Sequence, residues 1–419
     1  SYTDSIKKWW GDNGGGSSDE SKAIQAYIKN LYENPTADIP APSFVLFVGD
    51  DDQIPAFKGT TGSHITDLYF VDTTNDLIPD ILTGRFSARN VGELIPQIEK
   101  TLMYEKYEFP EPSFLNDVVL VAGWDYSHAD EWGWPQINYG TKYYFNAEHG
   151  YNNISVYLST GSHQNESAIR SDVAAGCAYL NYTAHGSSTS WADPGFRISH
   201  INSLGNFGKY PLVIGNCCLT SKFEVGTCFG EAWLRAKDQG AIGYIGGTNS
   251  TYWDEDLWWG NGNYPIVHPN SEGTPPLREE TGPGAYDGAF QGNFKTQAGF
   301  MLAGNLAVQE SSSPRKKYYW EVYELMGDPA LMVYWGEAKK NAVVHPETLA
   351  AESTSLVIEA AAGSFAAVSK DGELLGTSLI GNSGKAAIDF SEAATAGELK
   401  IVVTGQNLQP YIGTITIGQ

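Results

Sequence analysis

Apolar runs of four to six residues recur along the chain, and each stops abruptly at glycine or at a polar group. Phe44-Val-Leu-Phe-Val ends in Gly49-Asp50, Ile78-Pro-Asp-Ile-Leu-Thr in Gly84-Arg85, and Val118-Val-Leu-Val-Ala in Gly123-Trp-Asp125. Tyr179-Leu-Asn-Tyr-Thr-Ala is broken by His185-Gly186-Ser187, Pro211-Leu-Val-Ile by Gly215-Asn-Cys-Cys218, and Ala241-Ile-Gly-Tyr-Ile by Gly246. Runs this short and this continuously apolar predict strands buried on both faces. Between them lie segments of helical period: residues 20–33, with Ile24, Tyr27, Ile28 and Leu31 on one face, then 91–107, 139–149, 228–238 and 297–309. Strands alternating with helices predict an α/β domain around a mostly parallel sheet, with Asp50, Asp125, His185, Cys218 and the Gly246 turn gathered at one edge.

Residues 251–288 lose periodicity and are rich in Trp, Gly, Pro and acid, so long loops walling that edge are expected. After Gly336 the pattern changes to alternation around residues 355–360, 365–369, 385–390 and 399–404, with turns such as Asp371-Gly372, which predicts a small β-sandwich. The Pro-rich linker Phe109-Pro-Glu-Pro divides the α/β part. The expected division is into two α/β subdomains, 1–110 and 111–338, and an all-β domain, 339–419. No strand precedes the first helix, so Ser1 reads as a processing site, with an upstream fragment that could stay attached noncovalently.

Composition narrows the function. A net charge of -23 argues against nucleic acid and anionic membrane as partners and suits calcium or basic substrates. Four cysteines, Cys177, Cys217, Cys218 and Cys228, make neither a disulfide framework nor a zinc pattern. With no run of about 18 apolar residues and no charged-then-apolar leader, a soluble chain with any signal already removed is expected.

The chemistry sits at two strand ends. His185 and Cys218 are 33 positions apart, about what a strand, a helix and a return strand need to place them side by side. A thiolate is the working nucleophile, and a neighbouring imidazole favours it and protonates a leaving amine. The backbone N–H groups of Gly186 and Cys218 are candidates for stabilising an oxyanion. Cys217 and Cys218 face opposite sides of the strand, and spacing alone leaves open which of them meets His185.

Asn181-Tyr-Thr-Ala-His-Gly-Ser187, Trp191-Ala-Asp-Pro194, Ile214-Gly-Asn-Cys-Cys218, Cys228-Phe-Gly-Glu231 and Tyr252-Trp-Asp-Glu-Asp256 come in this order. Together they resemble the gingipain cysteine peptidases, clan relatives of caspases, and most of all their lysine-specific type. The likeness runs from Tyr2-Thr-Asp4 into the C-terminal part. It implies a secreted or bacterial-surface endopeptidase with a caspase-like α/β domain in two subdomains, followed by an immunoglobulin-like domain, cut from a longer zymogen. It puts the nucleophile on Cys218, the imidazole on His185 and the third catalytic acid on Asp125, leaving Cys217 to packing.

The same resemblance implies a primary pocket with Asp256 as its acid, helped by Thr183 and Trp253, although Asp254 stands where the family has Gly. Arginine-type relatives place the acid just after the third catalytic residue, where this chain has Asp130 and Glu131. Structural calcium is implied at Asp50 and Asp52, at Asp76 and Asp80, and at Glu231 with the Phe223 carbonyl. The expected function is a calcium-stabilised cysteine endopeptidase cutting after Lys. The alternatives are an arginine-specific enzyme, a transpeptidase, or a catalytically silent adhesin or carbohydrate binder using the Trp-rich stretch.

Overall fold

The structure, a computed structural model, describes residues 20–36, 39–266, 273–291 and 294–418. Ser1 and the Tyr2-Thr-Asp4 stretch lie outside them. The first compact unit takes the chain to Tyr104 and from Phe109 to Trp335, and the second joins Glu105–Glu108 to Gly336–Gln419. Both expected α/β subdomains lie almost wholly within the first unit, and the division between the units falls at Trp335/Gly336.

Eight strands build the sheet of the first unit: β1 (Phe44–Val48), β2 (Leu82–Phe86), β3 (Asp117–Ala122), β4 (Asn153–Leu158), β5 (Tyr179–Thr183), β6 (Leu212–Asn216), β7 (Gly243–Gly247) and β8 (Tyr323–Gly327). Their spatial order is β1-β2-β8-β7-β6-β5-β3-β4. From β7 to β4 every pairing is parallel. β8 runs antiparallel to β7 but parallel to β2, which is parallel to β1. The β1 end of the sheet thus points the other way, so Asp50 lies at the edge opposite Asp125, His185 and Cys218. The expected single edge of five strand ends is corrected to four. β8 is a strand whose antiparallel direction nothing in its composition announces.

Strands β5, β6, β7 and β8 are buried at every residue, which is why they read as unbroken apolar runs. Val119, Val121, Leu180, Tyr182, Val213 and Tyr244 belong to one core beneath Trp191 and Trp233. The flanking helices include α1 (Glu20–Glu33), α2 (Val91–Glu105), α3 (Trp134–Tyr143), α4 (Glu166–Ala175) and α5 (Phe229–Arg235). α3 begins earlier than the expected 139, with Pro135 in its first turn, where the missing N–H costs nothing.

Residues 251–288 are not the expected loop. They contain α6 (Trp253–Asn261) and lead into α7 (Ala285–Gln291), with α8 (Gln297–Glu310) and α9 (Lys316–Val322) following. The period was hidden because α6 is buried almost all round, acids included: Glu255, Asp256, Leu257, Trp258 and Trp259 are all covered. Trp259 stacks on Tyr323 with ring centroids 5.2 Å apart.

The C-terminal unit is the expected sandwich with three further strands, one of them short. Its strands are β9 (Ser355–Glu359), β10 (Phe365–Lys370), β11 (Glu373–Leu379), β12 (Lys385–Asp389), β13 (Gly397–Gly405) and β14 (Leu408–Ile417). β9 pairs with β12, and the other four pair in one sheet with the short strand Thr348–Leu349. Strict alternation in β9 turns Leu356 and Ile358 onto a core with Val368, Ile388, Leu399, Ile401 and Ile415. Asp371 and Gly372 both have positive φ, 51° and 91°, the backbone that a two-residue hairpin loop demands between β10 and β11. Among the described residues no helix is long and apolar enough to cross a membrane.

Candidate active site

Sheet register brings the site together. Thr183, the last residue of β5, pairs with Asn216 of β6 on one side and with Ala122 of β3 on the other. Two residues past the first pair stand His185 and Cys218, and three past Ala122 stands Asp125. Strands lie about 4.8 Å apart, so three adjacent strand ends deliver acid, imidazole and thiol to one rim. The β5 extension is held firmly, because the His185 carbonyl accepts from the Ala192 N–H (2.9 Å) and the Tyr182 hydroxyl (2.8 Å). Gly123 passes so close to this turn that a Cβ there would lie 2.5 Å from the Asp193 carbonyl oxygen.

Asp125 and His185 form a tight pair, Oδ2 to Nε2 at 2.6 Å. The other carboxylate oxygen accepts from the backbone N–H groups of Ser127 (2.8 Å) and His128 (2.9 Å) and lies 3.0 Å from His128 Nδ1. Burial pushes the Asp125 carboxyl up, but the bonds from His185, Ser127 and His128 outweigh it and bring the value down to about 2. The acid is charged at every working pH. With Nε2 donating to Asp125, His185 keeps Nδ1 for other chemistry, the tautomer being fixed by the carboxylate. Trp253 packs edge-on against His185 at 5.5 Å and stacks on His128 at 5.7 Å, so it walls the imidazole.

The two cysteines separate as alternation requires. Cys217 is fully buried, with burial driving its thiol well above the usual range. Cys218 is half-buried and its sulfur meets the Thr251 peptide, accepting from the N–H at 3.3 Å and facing the carbonyl at 3.7 Å. Burial raises this thiol too, while the Thr251 N–H opposes the rise. No hydrogen bond joins Cys218 to His185 in this conformation. Leu219, next in the chain, has φ +66°, which turns the backbone sharply and leaves the sulfur at the rim.

Gly186 completes the rim. Because the Ala192 N–H bonds the His185 carbonyl, Gly186 and Trp191 form a non-hydrogen-bonded pair of their short ladder, and the Gly186 N–H points away from it. A Cβ on Gly186 would lie 2.6 Å from the Cys218 carbonyl oxygen and 2.9 Å from Cys217 Sγ, so only glycine lets the two turns touch. Gly186→Ala is expected to lower kcat by about 10²-fold, the scale of one displaced oxyanion donor, with KM little changed. Steady-state kinetics on a peptide substrate check it, and an unchanged kcat would remove Gly186 from the rim.

Asp256 lies near the start of α6, almost fully buried. Its Oδ1 accepts from Tyr319 (2.9 Å) and Tyr323 (2.7 Å), and its Oδ2 from the Thr251 hydroxyl (2.7 Å). Burial is the main influence and pushes this carboxyl up to about 7 against those three donors. Tyr323 OH also accepts from Asn216 (2.8 Å), whose Oδ1 accepts from Asn181 (3.0 Å), so Asp256 lies on the Asn181 face of β5. Thr183 shares that face by alternation, although no hydrogen bond joins it to Asp256. Asp254 does not enter this group, because Arg315 holds it at 3.8 Å, together with Glu255 at 3.1 Å. Asp130 and Glu131 lie in the turn Ala129–Gly133, both partly exposed. Tyr319, Tyr323 and Thr251 were not singled out from sequence. The one available signal was the spacing of the two tyrosines, four apart and so on one side of a helical turn.

The residues implied as calcium ligands make the following protein contacts. Asp50 and Glu231 converge on Arg235, whose Nη2 is 3.1 Å from Asp50 and 2.5 Å from Glu231. The second Glu231 oxygen accepts from the Cys228 N–H at 2.6 Å. Asp52 is exposed in the turn after β1, and Phe223 covers the Arg85 guanidinium with its ring at 4.6 Å. Asp76 accepts from the Ile78 N–H (2.9 Å), and Asp80 from the Thr73 N–H (2.8 Å) and hydroxyl (2.7 Å). Calcium needs six to eight oxygens, and among the described residues no three His, Cys, Asp or Glu side chains are arranged to hold a metal ion.

Comparison with known proteins agrees with this architecture. Residues 4–334 match peptidase family C25, and residues 344–418 match the C-terminal ig-like domain of the same family. Lys-gingipain W83 of Porphyromonas gingivalis is 39% identical over 409 residues, covering 95% of this chain and 23% of that protein. Gingipain R2 of Porphyromonas gingivalis (strain ATCC BAA-308 / W83) is 26% identical, covering 95% of this chain and 52% of that protein. This chain therefore spans between about a quarter and a half of those relatives' lengths. A solved structure described as a protease superposes with TM-score 0.89 at 38% identity, covering 96% of this chain and 89% of that one. The Arg-specific cysteine proteinase gingipain R superposes with TM-score 0.81 at 24% identity, covering 96% and 89%, a likeness of fold.

Proposed function

Because the chain belongs to peptidase family C25 and is a cysteine peptidase, we propose that it is an endopeptidase cutting after lysine, with Cys218 as nucleophile. The observation that carries this is the register that sets Asp125, His185 and Cys218 on three adjacent strand ends. The Cys218 thiolate attacks the scissile carbonyl carbon, and the negative oxygen is received by the N–H groups of Gly186 and Cys218. His185, its charged form stabilised by Asp125, gives a proton to the departing amine as the C–N bond breaks. It then takes a proton from the water that attacks the thioester, releasing the acid product and restoring the thiol. A secreted or cell-surface location goes with this reading and rests on the family resemblance.

Lysine rather than arginine follows from the lone pairs of Asp256. A carboxylate offers about four acceptor positions, and three are filled by Tyr319, Tyr323 and Thr251. One position suits an ammonium as a point charge. The two parallel bonds of a guanidinium fork have no pair of free oxygens to meet.

The test compares lysyl, arginyl and norleucyl peptides on wild type and Asp256→Asn. Wild type is expected to favour lysyl over norleucyl by about 10² to 10³ in kcat/KM, the scale of a buried charge pair, and Asp256→Asn to lose most of that ratio. The carboxyl is neutral below about 7 in the free enzyme, so the ratio of lysyl to norleucyl kcat/KM, in which the shared dependence on the Cys218 thiolate cancels, should rise with pH through that value. Faster arginyl turnover would move the pocket acid to Asp130 or Glu131. No turnover of any of the three would leave a binding protein.

A further inference from the structure

Thr251 touches both halves of the reaction. Its main chain holds the Cys218 sulfur, with N–H to Sγ at 3.3 Å and carbonyl to Sγ at 3.7 Å, while its hydroxyl donates to Asp256 Oδ2 at 2.7 Å. The residues around it are pinned on both sides. Tyr318 OH donates to the Ser250 carbonyl at 2.7 Å, the Tyr252 N–H donates to Tyr319 OH at 2.8 Å, and the same Tyr319 hydroxyl donates to Asp256 at 2.9 Å. Upstream, the Leu219 N–H donates to the Asn249 carbonyl at 3.0 Å, which fixes the turn after the nucleophile to the same strap. Residues 249–252 therefore form a short tie between the strand that ends near the sulfur and the helix that carries the acid.

We propose that Thr251 is a positioning residue that couples the pocket carboxylate to the nucleophile, so that the sulfur and the P1-reading acid keep one fixed relation. This rests on the assignment of Asp256 as the pocket acid. The hydroxyl fixes Oδ2 and leaves a single acceptor position for the substrate ammonium. The N–H favours the thiolate over the thiol by donating to sulfur. Loss of the hydroxyl frees the strap, so both the carboxylate and the sulfur lose their setting together.

Thr251→Val keeps the shape and removes the hydroxyl, and Thr251→Ser keeps the hydroxyl. Two quantities are read for each: the lysyl-to-norleucyl ratio of kcat/KM, and the rate at which iodoacetamide, which has no basic group, alkylates Cys218 at pH 7. Thr251→Val is expected to lower the ratio about 10-fold, the cost of one buried hydrogen bond to a charged group, and to slow alkylation several-fold, while Thr251→Ser restores both. Equal losses on lysyl and norleucyl peptides with unchanged alkylation would mark a merely structural residue and overturn the proposal. So would a change in only one of the two quantities, or a Ser variant that fails to recover. If wild type itself shows no lysyl preference, it is the pocket assignment that has failed, and the alkylation rates then stand as the separate record of the contact with sulfur.

Discussion

Cys218→Ala is expected to reduce kcat/KM on a lysyl peptide by about 10⁵-fold or more, since removing the nucleophile of a covalent mechanism removes the whole pathway. No other thiol can take over. Cys177, Cys217 and Cys228 are each fully buried, and burial drives all three thiols far up. The fold should barely notice, because the Cys218 side chain is half-buried and its sulfur makes only weak hydrogen bonds, with Thr251 foremost. A melting temperature within about 2 °C of wild type, measured beside the peptide assay, separates lost chemistry from lost structure. Turnover near the wild-type level would remove the nucleophile assignment.

Asp125→Asn is expected to cost about 10³ to 10⁴-fold in kcat with little change in KM, the scale seen when a triad acid becomes an amide and the histidine loses its tautomer. The amide cannot stabilise the imidazolium that forms when His185 receives a proton, and it can donate into the 2.6 Å contact instead of accepting from it. The loss should not recover as pH rises, because the wild-type carboxyl, held down to about 2, is already charged throughout the working range. The same depression fixes a stability prediction. A carboxylate lowered in the folded state stabilises above its unfolded value near 4 and loses that contribution as pH falls toward the folded value. The melting-temperature gap between wild type and Asp125→Asn, followed from pH 7 downward, should therefore narrow between about 4 and about 2. A gap that widens over that interval would mean that the carboxylate is not the stabilised form.

The sheet strands were legible because burial on two faces leaves unbroken apolar runs, and the glycines that end them mark where the chain turns at the rim. His185 and Cys218 could be paired because their offsets from the ends of β5 and β6 are equal, and register preserves equal offsets. The direction of the β1 end of the sheet was not legible. It depends on β8 lying antiparallel to β7, a choice made by long-range packing, and so Asp50 was placed at the wrong edge. α6 escaped notice for a related reason: a helix enclosed on all sides, carrying Glu255 and Asp256 into the interior, has no polar stripe to give its period away. The supports of Asp256 were equally hidden, because Tyr319 and Tyr323 come from α9 and the start of β8, more than sixty residues further along. The partner of Asp50 was not legible either, because Arg235 comes from a helix distant in sequence.

Intact-mass and peptide-level analysis after treatment with a lysyl chloromethyl ketone tests the constellation most directly, because the reagent reports pocket, nucleophile and stoichiometry together. One adduct per chain, on Cys218 and absent from both Cys218→Ala and an excess-lysyl-peptide control, is the expected result. An adduct on Cys177, Cys217, Cys228 or a histidine with Cys218 left free would contradict the account.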